Sequence, residues 1–351
     1  MYKSTAQSIA TLTPASTPAP EEHLSDLSPK DKPWDQRRDE TQSLEERLQG
    51  GHHRKYARRM QFCSPDLEFA THTNPETGEW GLKLHAARFC RVRHCPVCQW
   101  RRSLMHKARF IQSLPTVFET VPESSRWVLL TLTVRNCAIG DLKETIISMQ
   151  TAFKRLTKRA EWSQVLGWVR ATEVTRNPSD NTAHPHLHIL MLVSPEYFTG
   201  RGYIKQSLWQ KAWKESARLD YDPVVDVRTI TLSKKKRAER MKAESAGEEI
   251  EPLHLALAAT AAAEVLKYST KATDLIQAPQ DWLETFIDQV HKLRFVGPGG
   301  VLKKALQNDK DDDDLVHVSD DGIEPDEEKT DPDTISFQYG RETRRYSRRR
   351  D

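Results

Sequence analysis

Residues 183–193 read AHPHLHILMLV, and the reading of this stretch decides the fold. In a β-strand successive side chains point to opposite faces. His184, His186 and His188 then share one face, while Leu187, Ile189 and Met191 alternate with them or follow. A row of imidazoles on a strand otherwise built for burial needs a partner: water, a carboxylate or a metal.

Working outward, Arg126–Val134 (RWVLLTLTV), Leu166–Thr175 (LGWVRATEVT) and Val224–Leu232 (VVDVRTITL) carry the β-branched and aromatic character of further strands. Apolar residues at Leu142, Ile146, Met149, Phe153 and Leu156 follow a helical period within 141–159. Ile204, Leu208, Trp209, Ala212 and Trp213 do the same within 202–218, and their spacing marks the tryptophans as core. Residues 253–275 are Ala-rich and helical, and 281–295 form a further helix ended by the turn signal GPGG. Strands interleaved irregularly with helices predict an α+β layer: helices on one face of a mostly antiparallel sheet.

The 351 residues are long enough for one or two cored units plus tails. The net charge of +3 hides an asymmetry. Residues 53–109 and the final RETRRYSRRR are basic, whereas 306–332 are strongly acidic. A basic body points to a polyanion partner such as nucleic acid, although charge runs also serve as solvated faces. No apolar run is long enough to span a membrane, and MYKSTAQSIATLTPASTPAP lacks a signal core, so a cytoplasmic protein is expected. Composition divides the chain into a disordered Pro/Ser/Thr-rich tail (1–52), a basic cysteine-rich module (53–115), a main domain (120–305) and a disordered acidic-then-basic tail (306–351). Residues 233–251 read as an exposed, highly charged insertion.

Five cysteines, three of them clustered, argue against a disulfide framework and for a metal. FCRVRHCPVC sets Cys90, Cys95 and Cys98 in a C-x4-C-x2-C array whose second half has zinc-knuckle spacing. Structural zinc wants four ligands; Cys63 is the natural fourth, with His85 and His94 as competitors, and Cys137 stands apart. Arg88, Arg91, Arg93, Arg101 and Arg102 would ring such a knuckle with phosphate donors.

Alternate strand positions can bring His186 and His188 to one ion, and Glu173 in RATEVT could join them from a neighbouring antiparallel strand. A half-buried face satisfied by hydrogen bonds is the alternative. EVLKYSTK (264–271) sharpens the choice, because on a helix Glu264, Tyr268 and Lys271 line one face. Carboxylate, phenol and ammonium together suit a base, a nucleophile and a cation; a solvent-facing stripe is the bland reading.

LTLT (130–133), HPHLH (184–188) and EVLKYSTK (264–271), in this order behind the cysteine array, resemble the motifs of HUH endonucleases, and most closely the rolling-circle replication initiators (Rep proteins) of small bacterial plasmids. The resemblance spans roughly residues 60–305. It implies a five-stranded antiparallel sheet with packed helices, with His186 and His188 binding Mg²⁺ or Mn²⁺ at its centre. Glu173 as third ligand rests on strand parity as well as likeness, and His184 is an extra histidine on the same face. It implies that Tyr268 attacks the scissile phosphate of single-stranded origin DNA, leaving a 5′-phosphotyrosine and a free 3′-OH for a host polymerase. Glu264 fills the position that activates water for the terminating cleavage, and Lys271 would steady the phosphate or phenolate. No GxxxxGK[ST] loop is present, so unwinding would fall to a host helicase. A single-tyrosine transposase shares this chemistry, and a non-catalytic zinc-containing DNA-binding regulator would need none of the EVLKYSTK residues.

Overall fold

The computed structural model describes residues 21–73, 78, 80–199, 202–248, 250, 253–266, 270–306, 315–316, 318–319, 322–323 and 333–349. In chain order the elements begin with α1 (Leu24–Leu27), α2 (Pro33–Leu48), α3 (Arg54–Gln61), β1 (Asp66–Thr73), β2 (Trp80–Ala87) and α4 (Pro96–Phe118). Next come β3 (Arg126–Thr133), α5 (Leu142–Leu156), β4 (Val165–Arg176), β5 (Ala183–Val193), α6 (Gln206–Ala217), β6 (Val225–Thr229) and α7 (Lys234–Ala246). The chain continues through α8 (Leu253–Val265), α9 (Ala272–Ile276), α10 (Gln280–Gln289) and β7 (Val296–Gly300). It closes with β8 (Val318–Ser319), β9 (Gly322–Ile323), β10 (Thr334–Gly340) and β11 (Arg345–Arg348).

The expected five-stranded antiparallel sheet is present, in the order β6-β3-β5-β4-β7, with the histidine strand β5 at its centre. The two faces of β5 are treated differently. Leu187, Ile189, Met191 and Val193 pack into one core with Met149 and Phe153 of α5 and Trp209 and Trp213 of α6. The opposite face carries Leu190 and Leu192, which pack with Phe110, Leu114 and Val117 of α4 and Ala258, Ala261 and Ala262 of α8. Helices therefore cover both faces, which corrects the expectation of one. Among the described residues the second layer reaches only half-way along β5. Where the leucines end, His188, His186 and His184 continue the same face, each half-buried. Small alanines on α8 let that helix lie close to the sheet without extending over the histidines.

The fifth strand is the stretch read as a turn. Val296–Gly300 (VGPGG) pairs with β4 from Ala171 to Gly167. Pro298 is tolerated because β7 is an edge strand. Gly299 is required by close approach: a Cβ there would meet Trp168 Cζ2 at 2.2 Å. Gly300 turns the chain with φ +59°.

A second antiparallel sheet, β11-β10-β1-β2, lies in the regions expected to be the cysteine module and the C-terminal tail. Leu67 of β1 faces Phe337 of β10, so residues 333–349 are integral to the fold and not a loose tail. The expected N-terminal tail is corrected as well. α2 buries Trp34, Leu44 and Leu48, with Thr41 and Glu45, against the cysteine region. Its acids take up the basic C-terminal arginines: Arg341 Nη1 donates to Glu45 Oε2 at 2.8 Å, and Arg344 pairs with Asp39 and Glu46. Opposite charges at the two ends of the chain thus make an interface. The expected break near 115–120 is bridged by α4, whose first turn holds Cys98 and whose far turns join the core under β5. Among the described residues no helix is long and apolar enough to cross a membrane.

Candidate active site and cysteine centre

Pairing of β4 with β5 sets Glu173 opposite His186, and pairing of β3 with β5 sets Thr131 opposite His188 and Thr133 opposite His186. Alternation then puts all of them on the open face. The Glu173 carboxylate accepts from His188 Nε2, with Oε2 at 2.8 Å. The other ring nitrogen, Nδ1, lies 3.2 Å from the Thr131 hydroxyl. His188 is therefore oriented from both sides. The His184 and His186 rings stand 4.1 Å apart, and His186 and His188 are stacked at 5.9 Å. These residues line an open groove of about 620 Å³, walled on one side by Arg135, Tyr221, Asp222, Pro223 and Val224.

The electrostatics prepare ligands and not cations. The His188 hydrogen bond, with attraction from His188, His186 and Lys271, holds the Glu173 carboxyl below its ordinary range against the effect of burial. Burial pushes His186 down to about 4, with repulsion from His184 adding to it, so the imidazole is neutral at neutral pH. His184 is lowered by burial too. His186 Nδ1 is buried and, among the described residues, has no hydrogen-bond partner. Two imidazoles and a carboxylate are donor types that a divalent cation accepts, although among the described residues only the four cysteines bring three or more ligand atoms within 4.8 Å of one another. Glu173, His186 and His188 match the implied Mg²⁺ or Mn²⁺ in donor type, with their ligand atoms not drawn into one cage.

Glu264 and Lys271 do not sit on one helix. α8 stops at Val265, and Lys271 is an extended residue just before α9. Tyr268 lies outside the described residues. Its neighbours still flank the open face. Glu264 is exposed near the end of α8, with Oε2 4.0 Å from Arg228 Nη2, and Arg228 projects from β6 on the same face as Thr131. Lys271 adds an electrostatic attraction that helps keep the Glu173 carboxyl low. The orienting Thr131 and the tether Arg228 were missed in the sequence; strand parity with the histidines was the available signal for Thr131.

The four cysteines converge. Cys63 follows α3, Cys90 lies in the loop after β2, Cys95 caps α4 and Cys98 sits in its first turn. All four are buried, and their sulfurs lie within 4.8 Å of one another. The separations are 3.5 Å for Cys95–Cys63 and 3.6 Å for both Cys63–Cys98 and Cys90–Cys98. A tetrahedral ion holding thiolates at about 2.3 Å would space its sulfurs at about 3.8 Å, so the cluster is close to metal-ready. Burial drives the Cys63 thiol well up, a penalty that a bound dication would remove. The Thr41 hydroxyl lies 3.5 Å from Cys95 Sγ, which brings α2 into the site's surroundings. Neither competing histidine takes part. His85 is exposed on β2, and His94 is buried against Phe286.

The arginines expected to hold DNA divide. Arg101 is buried, donates to the Leu315 and Val316 carbonyls, and packs over the Trp34 and Trp100 rings. Arg93 donates to the Val290 and Leu293 carbonyls and covers Phe295. Both are structural, a correction to their expected role. Arg91 is exposed, and Arg102 donates to its carbonyl at 3.3 Å.

Comparison with known proteins agrees with this geometry. Residues 81–347 match the model of a family described as replication protein. The chain is 35% identical over 299 residues to a protein named Protein rep from Bacillus amyloliquefaciens, covering 81% of this chain and 83% of that one. It is 31% identical over 281 residues to Protein rep of Streptococcus pneumoniae, covering 78% and 79% of the two chains. A protein named Replication protein from Staphylococcus aureus is 31% identical over 240 residues, 65% of this chain and 92% of that one. No solved structure matches. The chain belongs to the replication protein family, that of the small-plasmid rolling-circle initiators whose motifs it resembles.

Proposed function

We propose that this plasmid replication initiator nicks and rejoins single-stranded origin DNA through Tyr268. The observation that carries the reading is Glu173 bonded to His188, beside an unpartnered His186 Nδ1, on the uncovered half of the central strand. Glu173, His186 and His188 would hold Mg²⁺ or Mn²⁺, and such an ion would supply Lewis-acid polarisation of the scissile phosphodiester. Thr131 keeps the His188 ring in its ligand orientation. The Tyr268 phenolate attacks phosphorus, the P–O3′ bond breaks, and the departing 3′ oxygen takes up a proton as the new primer end. Phosphodiester bonds formed equal those broken, so rejoining needs no nucleotide cofactor. Glu264, exposed near the end of α8, is the base that activates water for the last cleavage, and Lys271 favours the anionic forms around Glu173. The four cysteines hold structural zinc. Unwinding and extension fall to a host helicase and polymerase.

Incubating the protein with its parent plasmid's origin strand and Mn²⁺ tests the proposal, through a covalent DNA–protein band and mapping of the modified residue. Tyr268→Phe is expected to abolish the band while strand binding stays intact. An adduct that persists in this variant would reassign the nucleophile. Glu264→Ala is expected to nick but to fail at termination, giving multimeric single strands.

A further inference from the structure

One wall of the histidine groove carries groups that the phosphate chemistry leaves unused. Tyr221, half-buried, accepts a hydrogen bond on its hydroxyl from the Arg135 backbone N–H at 2.8 Å. The Arg135 guanidinium carbon lies 3.9 Å above the centre of the Tyr221 ring, so the planar cation rests on the phenol. Arg135 is exposed and, among the described residues, pairs with no carboxylate. Beside it Val224 offers an apolar surface that is 73% exposed.

The wall is rigid. Thr133 Oγ1 donates to the Val224 carbonyl, Gln210 Nε2 to the Pro223 carbonyl and Gln206 Nε2 to the Val225 carbonyl, each at 2.8 Å. Asp222, the carboxylate in this wall, is paired with Lys214 at 2.8 Å. Thr133 is also the residue paired with His186 across the sheet, so the wall is tied to the metal-ligating strand.

We propose that Arg135 and Tyr221 form a stacking platform for the nucleobase next to the scissile phosphate. The inference rests on the nicking reading and adds a base subsite to it. Unstacked bases of single strands pack on guanidinium planes and aromatic rings, and this recognition tolerates any base. A pre-formed cation–phenol pair offers such a surface without ordering cost at binding. Seating one base here draws the strand out of its own stack and turns the adjoining phosphate toward His186 and His188. A simple phosphate contact by Arg135 is the rival role. Arg135→Lys separates the two, because lysine keeps the charge and loses the plane.

The test uses the full chain and the single-stranded origin of its parent plasmid, with binding read by fluorescence anisotropy and each base in turn replaced by an abasic site. For the wild type, one abasic position is expected to weaken binding about tenfold, and where nicking occurs that position adjoins the nick. Arg135→Lys and Tyr221→Ala should each bind the intact strand about tenfold more weakly and show no further loss at that position. Tyr221→Phe, which keeps the ring, should restore binding and so exclude a folding defect. Wild-type binding by Arg135→Lys, retained abasic sensitivity in Tyr221→Ala, or a tyrosyl–DNA adduct on Tyr221 would each overturn the platform. If the wild type forms no adduct yet keeps its abasic sensitivity, the nicking reading fails and the platform stands.

Discussion

His188 is gripped at both ring nitrogens, by the Thr131 hydroxyl and the Glu173 carboxylate, whereas His186 keeps one buried nitrogen unpartnered. The two residues should therefore respond differently to substitution nearby. Thr131→Val leaves every proposed ligand in place but removes one of the two contacts that orient the His188 ring. It is expected to weaken Mn²⁺ affinity roughly 10–100-fold, read by titration calorimetry, with little change in Tm. His186→Ala and His188→Ala should lose metal-dependent nicking and retain strand binding. Arg101 makes the opposite case. Removing its buried guanidinium strands the Leu315 and Val316 carbonyls, so Arg101→Ala should cost about 1–3 kcal/mol of stability in urea denaturation. The salt dependence of DNA binding by that variant should stay as in the wild type, because the side chain faces inward.

At the scale of elements, β7 shows how tertiary pairing overrides a local signal. Gly-Pro-Gly-Gly reads as a turn, yet an edge position needs donors on only one side and tolerates proline. Trp168 fills the space that a side chain at 299 would take. Gly299→Val should accordingly loosen the edge of the sheet by about 1–3 kcal/mol, seen as a lower urea midpoint and faster amide exchange in β4. The histidine strand was legible because a period of two survives any context, and the same parity found Glu173. A helix shared by Glu264 and Lys271 was not to be had, because spacing of three and four describes a face only while the helix lasts, and α8 ends at Val265. The arginines of the cysteine region misled for a similar reason: a guanidinium serves backbone carbonyls as readily as phosphates, and composition does not say which.

For the whole molecule, the cysteine centre is where distant parts of the chain meet. Leu44 and Met60, Cys63 and Cys98, Leu142, Trp282 and Phe337 all belong to one core. Tyr346 Oη donates to the carbonyl of Ser64, next to Cys63. The four cysteines and their convergence could be foreseen from spacing; the strands that roof them could not, since no local pattern pairs β1 with β10 across most of the sequence. Metal at this centre should therefore support the molecule broadly. Purified protein is expected to hold about one zinc per chain, and stripping it with a strong chelator should lower Tm and loosen α2 and β11 together, as read by hydrogen exchange.

The closure of that roof also has a clock. β1 lies near the start of the described chain, but its partner β10 and the Tyr346 clasp are made from its last residues. During synthesis at about 5–20 residues per second, the histidine sheet emerges whole while the cysteine region waits for the final strands. A ribosome that stops short of residue 334 would thus release a chain with its proposed chemistry assembled and its metal cage unsealed.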